Sequence, residues 1–253
     1  MRLMLILVSL VYGLGLQAIP SGVRIVKGPC SLVIRMTAGK PPSGGILGFL
    51  SAKYQVSDPP GKVRHTMHGQ AGSSEVGEYH YMTVSTRETF QGFRGVTHSR
   101  TLSKNGEKIS ESEGYSKVEG NKNYFWQEKE GAWQENQLIK YPEPVDGLAW
   151  EIDLLKDDGE LHHTQTFSWV FVGEFTSPRT STRYQSVFVQ LRDFKEPLTP
   201  EVPITLSYYA PGKGMVYNAV VKRNAVRNLQ RIDPTVILQD TWLAGVDNHW
   251  PGN

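Results

Sequence analysis

The residues of this chain that could do chemistry are its histidines and a run of carboxylates around one tryptophan. His65 and His68 with His80 nearby, and the adjacent pair His162-His163, are the only histidine groupings. Structural zinc asks for paired Cys/His at defined spacings, and catalytic zinc for His-x-x-x-His on a helix. Neither pattern occurs. Successive side chains of a strand point to opposite faces, so His162 and His163 are not expected to share one ion. The histidines are read as surface residues, with no metal and no cofactor assigned.

Glu143, Asp146, Glu151 and Asp153 gather around Trp150. An acid pair beside an aromatic ring is the arrangement of many glycosidases, which need two carboxyl groups about 5 to 10 Å apart across an open cleft. This supports an alternative reading, a carbohydrate-active or carbohydrate-binding β protein. The plainer reading is a solvated turn and strand edge, because charged side chains are mostly exposed. Nucleophilic chemistry finds no support. There is no Gly-x-Ser-x-Gly elbow, and Cys30 has no catalytic signature around it. Gly212-Lys213-Gly214 lacks the third glycine of a dinucleotide site, and Gly39-Lys40 lacks the upstream glycine of a phosphate loop. No catalytic residue is assigned, and the chain is read as a non-enzyme.

The elements that must carry these residues are short strands. Ile204, Leu206 and Tyr208 alternate with Thr205, Ser207 and Tyr209, and Ala210-Pro-Gly-Lys-Gly214 then reverses the chain, with Pro211, Gly212 and Gly214 as its turn residues. Met215 to Val221 returns, which makes a hairpin. Glu78 to Ser85, Tyr115 to Val118, Asn123 to Gln127, Trp133 to Ile139, Phe167 to Val172, Tyr184 to Leu191 and Thr235 to Leu243 read as further strands. Asn105-Gly106 is a type I′ hairpin signal. Asn224 to Ile232 fits a helical period and a strand extension equally. The fold class is mostly β, a curved antiparallel meander sheet with few short helices. The strands look short and irregular, and the chain ends in Gly-Asn rather than on an aromatic residue, so an outer-membrane barrel is not favoured.

The aromatics carry the binding hypothesis. The chain has 11 Tyr, 9 Phe and 6 Trp, and several sit at alternate strand positions. Tyr124, Trp126, Trp169, Phe171 and Tyr208 are the candidate ligand-binding residues. They either fill a core or line a curved sheet that holds an apolar ligand.

Arg2 followed by the apolar run Leu3 to Leu16 reads as a secretory signal peptide, residues 1–20. The alternative is an uncleaved anchor in the inner membrane, since a span needs about 20 apolar residues. Residues 21–60, with Gly39-Lys-Pro-Pro-Ser-Gly-Gly45, are expected to be a linker; residues 61–245 a single antiparallel β domain; residues 246–253 a tail. With one cysteine no intramolecular disulfide forms, and Lys27-Gly-Pro-Cys30 is not a lipidation signal. A formal charge of +2 without a basic block gives no case for nucleic acid.

Tyr208-Tyr-Ala-Pro-Gly-Lys-Gly-Met-Val216, preceded by Pro142-Glu-Pro…Gly147-Leu-Ala-Trp150 and Val172-Gly-Glu174, resembles a group of uncharacterised exported bacterial proteins, many of them lipoproteins. The resemblance covers roughly residues 75 to 245. It implies a half-barrel similar in outline to the periplasmic carriers of the LolA type, and it brings no catalytic residues. Lys213 stands where the group more often has an apolar residue. The combined expectation is an exported protein, periplasmic or extracellular, that binds or scaffolds a lipid-like ligand or an envelope protein.

Overall fold

The computed structural model describes residues 22–28, 31–39, 61–70, 76–119, 122–137, 142–156, 158–195, 203–223 and 226–247. The strands are β1 (Ile25–Lys27), β2 (Ser31–Ala38), β3 (Gly61–Gln70), β4 (Val76–Phe90), β5 (Phe93–Lys104), β6 (Glu107–Glu119) and β7 (Lys122–Gln127). They continue as β8 (Ala132–Gln137), β9 (Ala149–Leu155), β10 (Leu161–Thr176), β11 (Arg183–Phe194), β12 (Ile204–Ala210), β13 (Gly214–Val221) and β14 (Ile237–Asp247). All belong to one 14-stranded sheet in the order β1-β8-β7-β6-β5-β4-β3-β14-β13-β12-β11-β10-β9-β2. The sheet is large, curved and antiparallel apart from the β1–β8 pair, and it does not close into a barrel. No helix among the described residues is long and apolar enough to cross a membrane.

Two meanders, β3 to β8 and β9 to β14, join through the β3–β14 ladder. The turns behave as their residues require. Asn105 and Gly106 both have positive φ, 52° and 84°, as a type I′ turn demands. Gly212 and Gly214, at 68° and 71°, reverse the chain between β12 and β13. Several strands are longer than expected, β4 with 15 residues and β10 with 16. Polar stretches such as Glu107 to Gly114 are exposed yet still continue the ladder, because backbone pairing does not depend on apolar side chains.

The segment expected as a linker supplies β1 and β2. Though neighbours in sequence, they occupy opposite edges of the sheet: β1 pairs with β8 and β2 with β9. Gly28 N donates to Glu135 O at 2.7 Å and Trp133 N to Arg24 O at 2.9 Å, so this short piece of chain ties the two edges together. The expected tail also begins inside β14, which runs to Asp247. The expected signal peptide, Cys30 and residues 248–253 lie outside the described residues.

Among the described residues the apolar core is divided among four clusters on the sheet. The largest holds Phe175, Val189, Leu206, Tyr208, Tyr217 and Trp242. It is covered by residues 226–236, which are neither helix nor strand extension but an irregular crossing that ends in a 3-10 turn, Pro234–Val236. Val226, Leu229 and Val236 pack on the cluster and Ile232 is buried within it. Thr176 N donates to Gln230 O at 3.1 Å, and Gln230 Nε2 to Val172 O at 3.0 Å. Burying these side chains removes apolar surface from water, at about 25 cal/mol per Å². A periodicity argument could not assign the segment because its apolar residues serve one lid contact rather than a repeating face.

Candidate functional site

The strands gather some of the sequence-nominated residues in two places. The first is a cleft of about 390 Å³ lined by Arg35, Asp153, Leu161, His162, His163, Thr164 and Lys195. In the β2–β9 ladder Arg35 lies opposite Glu151 and Val33 opposite Asp153. Glu151 and Asp153, two apart on β9, therefore share a face, and Arg35 reaches both. Its Nη2 donates to Asp153 Oδ1 at 2.9 Å and to Glu151 Oε2 at 3.2 Å, and its Nη1 donates to Asp153 Oδ2. Lys195 Nζ contacts Glu151 Oε1 at 2.8 Å, and Thr164 Oγ1 donates to Asp153 Oδ1 at 2.7 Å.

The Lys195 ammonium, then Arg35, holds the Glu151 carboxyl below its ordinary range, and Arg35, then Thr164, does the same for Asp153. Both act against the opposing effect of burial. A general acid needs its pKa raised, so this pair is set for ion pairing rather than glycoside protonation. Asp146 serves elsewhere: its Oδ1 accepts from Phe171 N at 2.9 Å. Glu143 lies on the crossing before β9. Of the four carboxylates, Glu151 and Asp153 are held together by Arg35 at the cleft, while Asp146 caps the Phe171 amide.

The histidine expectation needs a correction. The β9–β10 register shifts between Leu161 and His163, which makes His162 the extra residue of a β-bulge. The bulge cancels the strict alternation and brings both rings together, centroids 4.7 Å apart and Nδ1 to Nδ1 2.9 Å. The His163 ring also meets Phe194 at 5.5 Å, and its Nε2 lies 3.2 Å from Gln165 Nε2. Burial, then the neighbouring His162, pushes His163 below its ordinary pKa. The other grouping is not gathered on one ion: His68 Nδ1 contacts Arg179 Nη2 at 3.3 Å and His80 Nδ1 contacts Thr66 Oγ1 at 3.1 Å. The His65 side chain lies outside the described residues. Among the described residues no group of three or more His, Cys, Asp or Glu is placed to hold a metal.

The second place is an aromatic patch on β10, β11 and β12. In the ladders Phe171 lies opposite Phe188, and Phe188 opposite Tyr209, so the three rings share a face. Phe171 is 48% exposed, and its ring lies 4.9 Å from Phe188. Trp169, fully buried, forms the floor, edge-on to Tyr209 at 5.4 Å and to Phe188 at 6.4 Å. Its Nε1 donates to Pro142 O at 3.1 Å, which fixes the indole.

Of the five nominated rings, the patch unites Trp169 and Phe171. Tyr208 is buried in the cluster on which the 226–236 crossing packs, 4.0 Å from Phe175. Tyr124 is buried with Phe93 and Trp133 in another cluster, with Trp126 packed on its margin. Between Phe90, Phe93, Tyr115 and Trp133 no room is left even for water. The nominated rings do not form one continuous lining. Phe188 and Tyr209 were missed, although Tyr209 stands in the nominated hairpin; its position on the outer face pointed away from the alternation used to find a core. Pro211, Gly212 and Gly214 form the turn assigned to them.

No protein-family model matches the chain, and no curated protein does. Similar solved structures include one from Bacteroides fragilis, provisionally described as an exported protein with a YmcC-like fold. It has 9% identity and a TM-score of 0.35, with 75% of this chain and 96% of that one covered. Another, from Parabacteroides distasonis and provisionally described as a lipoprotein, has 12% identity and a TM-score of 0.32, with 74% and 95% covered. Likeness at this level decides neither family nor function, and the architecture rests on the strand pairing itself.

Proposed function

We propose that the chain is an exported protein of a bacterial envelope that holds an apolar, lipid-like ligand against the Phe171–Phe188–Tyr209 face, with no catalytic step of its own. The observation that carries this is an exposed phenylalanine in a connected group of rings whose floor, Trp169, is fixed by a hydrogen bond. Phe171 does not stand alone: it is continuous with the half-buried Phe188 and Tyr209, and a contiguous accessible apolar patch marks an interaction surface. A rigid floor spares the ligand the cost of ordering its site. Arg2 and the apolar run Leu3 to Leu16 support export. The ion-paired state of Glu151 and Asp153 speaks against the carbohydrate-active alternative.

The test is native mass spectrometry of the protein with palmitate, alongside the Phe171→Asp variant. The reading expects a one-to-one palmitate adduct that the variant loses by roughly tenfold or more in affinity, since a full apolar side-chain contact is worth about 1.5–3 kcal/mol. Equal binding by both proteins, or no adduct with the parent protein, refutes it. An adduct with a soluble glucan in place of palmitate also refutes it and moves the face to carbohydrate stacking.

A further inference from the structure

The vicinal histidines at the rim of the Arg35–Lys195 cleft have no part in the lipid-binding reading. Their geometry is unusual for two side chains adjacent in a strand. Two imidazole Nδ1 atoms 2.9 Å apart cannot both present bare lone pairs to each other. Something positive must lie between them, either one ring proton or a metal ion.

The spacing selects among metals. Two nitrogen ligands at about 2.0–2.1 Å from one ion and about 2.9 Å from each other subtend close to a right angle at it. A tetrahedral zinc site would hold them wider apart, near 3.4 Å by the same arithmetic. A right-angled nitrogen pair belongs to square-planar or tetragonal coordination, the preference of copper(II) and nickel(II). We propose that His162 and His163 chelate one divalent ion of the copper(II) or nickel(II) class through their Nδ1 atoms, at the mouth of this cleft.

Two further features fit. Gln165 lies against the far nitrogen of His163, Nε2, at 3.2 Å. There the amide nitrogen faces Nε2; once a metal takes Nδ1 the ring proton sits on Nε2, and a half-turn of the Gln165 amide lets its oxygen accept that proton, the usual outer-shell support of a metal-bound imidazole. Arg35 and Lys195 are already matched by Asp153 and Glu151, so the cleft does not confront an incoming cation with unbalanced positive charge. No third His, Cys, Asp or Glu joins the pair among the described residues, so the remaining coordination positions go to water or to an exchangeable ligand in the cleft.

The test is a copper(II) titration of the untagged protein followed by electron paramagnetic resonance and calorimetry. The inference expects one ion per chain with hyperfine splitting from imidazole nitrogen. His162→Ala and His163→Ala should each weaken binding at least tenfold, and Gln165→Leu roughly tenfold, the usual effect of losing an outer-shell partner. His68→Ala, whose ring belongs to the Arg179 contact, should bind as the parent does. His162 is exposed, and its replacement should leave the circular dichroism unchanged. Binding that survives both His162→Ala and His163→Ala, or that shows no nitrogen splitting, or that is weaker than millimolar, overturns the inference.

Discussion

Tyr208 and Tyr217 allow the same atom to be removed twice with opposite expected signs. Both are fully buried in the largest cluster, with their rings 5.7 Å apart. Burial pushes both phenols far above their ordinary pKa, so each is neutral in the fold. Tyr217 Oη donates to Asp240 Oδ2 at 2.7 Å, and Asp240 is held in turn by Arg179 Nε at 2.7 Å. Among the described residues Tyr208 Oη is buried with no hydrogen-bond partner. A buried polar group without a partner costs about 1–3 kcal/mol, and a hydrogen bond to a charged group contributes about 1.5–3 kcal/mol. Tyr208→Phe removes a cost and leaves only a small void, for an expected gain of about 1 kcal/mol. Tyr217→Phe removes a bond to a carboxylate and should lose about 2 kcal/mol. For a chain of this size these correspond to a melting temperature about 3 °C higher and about 6 °C lower. Urea denaturation at neutral pH, with calorimetry as a second probe, measures both. If Tyr208→Phe destabilises as much as Tyr217→Phe does, the Tyr208 hydroxyl is bonded in the folded protein and the reasoning fails.

Gly95 in β5 faces the backbone of β6: a Cβ added there would sit 2.4 Å from Ser116 O, so Gly95→Ala should cost about 1–3 kcal/mol by forcing the strands apart, as in overpacked cores. Gly114→Ala, with nothing within 4 Å of the added atom, is the matched control and should be near neutral in the same thermal melt. The folded pKa values of Glu151 and Asp153 are depressed from 4.5 and 3.8, so the stability they contribute is complete above those values and is lost as pH falls through the lower folded ones. Arg35→Met should therefore lower stability at neutral pH and flatten the acid loss, read from urea midpoints between about pH 6 and pH 3; an acid profile parallel to the parent's would remove Arg35 as the cause.

Local signals determine much of the sheet. Asn105-Gly106 fits a type I′ turn with both φ values positive, and the Ile204 to Tyr208 alternation with the Pro211–Gly214 reversal makes a hairpin wherever it is placed. Phe167, Trp169 and Phe171 alternate on one strand and so declare a shared face, but whether that face is core or lining was left open by the alternation: Trp169 is buried and Phe171 exposed. Only the tertiary structure could place what depends on distant chain. Arg35 meets Glu151 and Asp153 across separations of 116 and 118 residues, and nothing local to any of them announces it. Residues 226–236 pack on the cluster that holds Tyr208, so a ring with the alternation of a ligand face became core. The bulge at His162 reversed a conclusion drawn from strict alternation, since one unpaired residue in a ladder turns its neighbour to the other side. β1 and β2 reached opposite edges of the sheet because each found an unsatisfied row of backbone donors and acceptors there, a property of edges that exist only once the other twelve strands have paired.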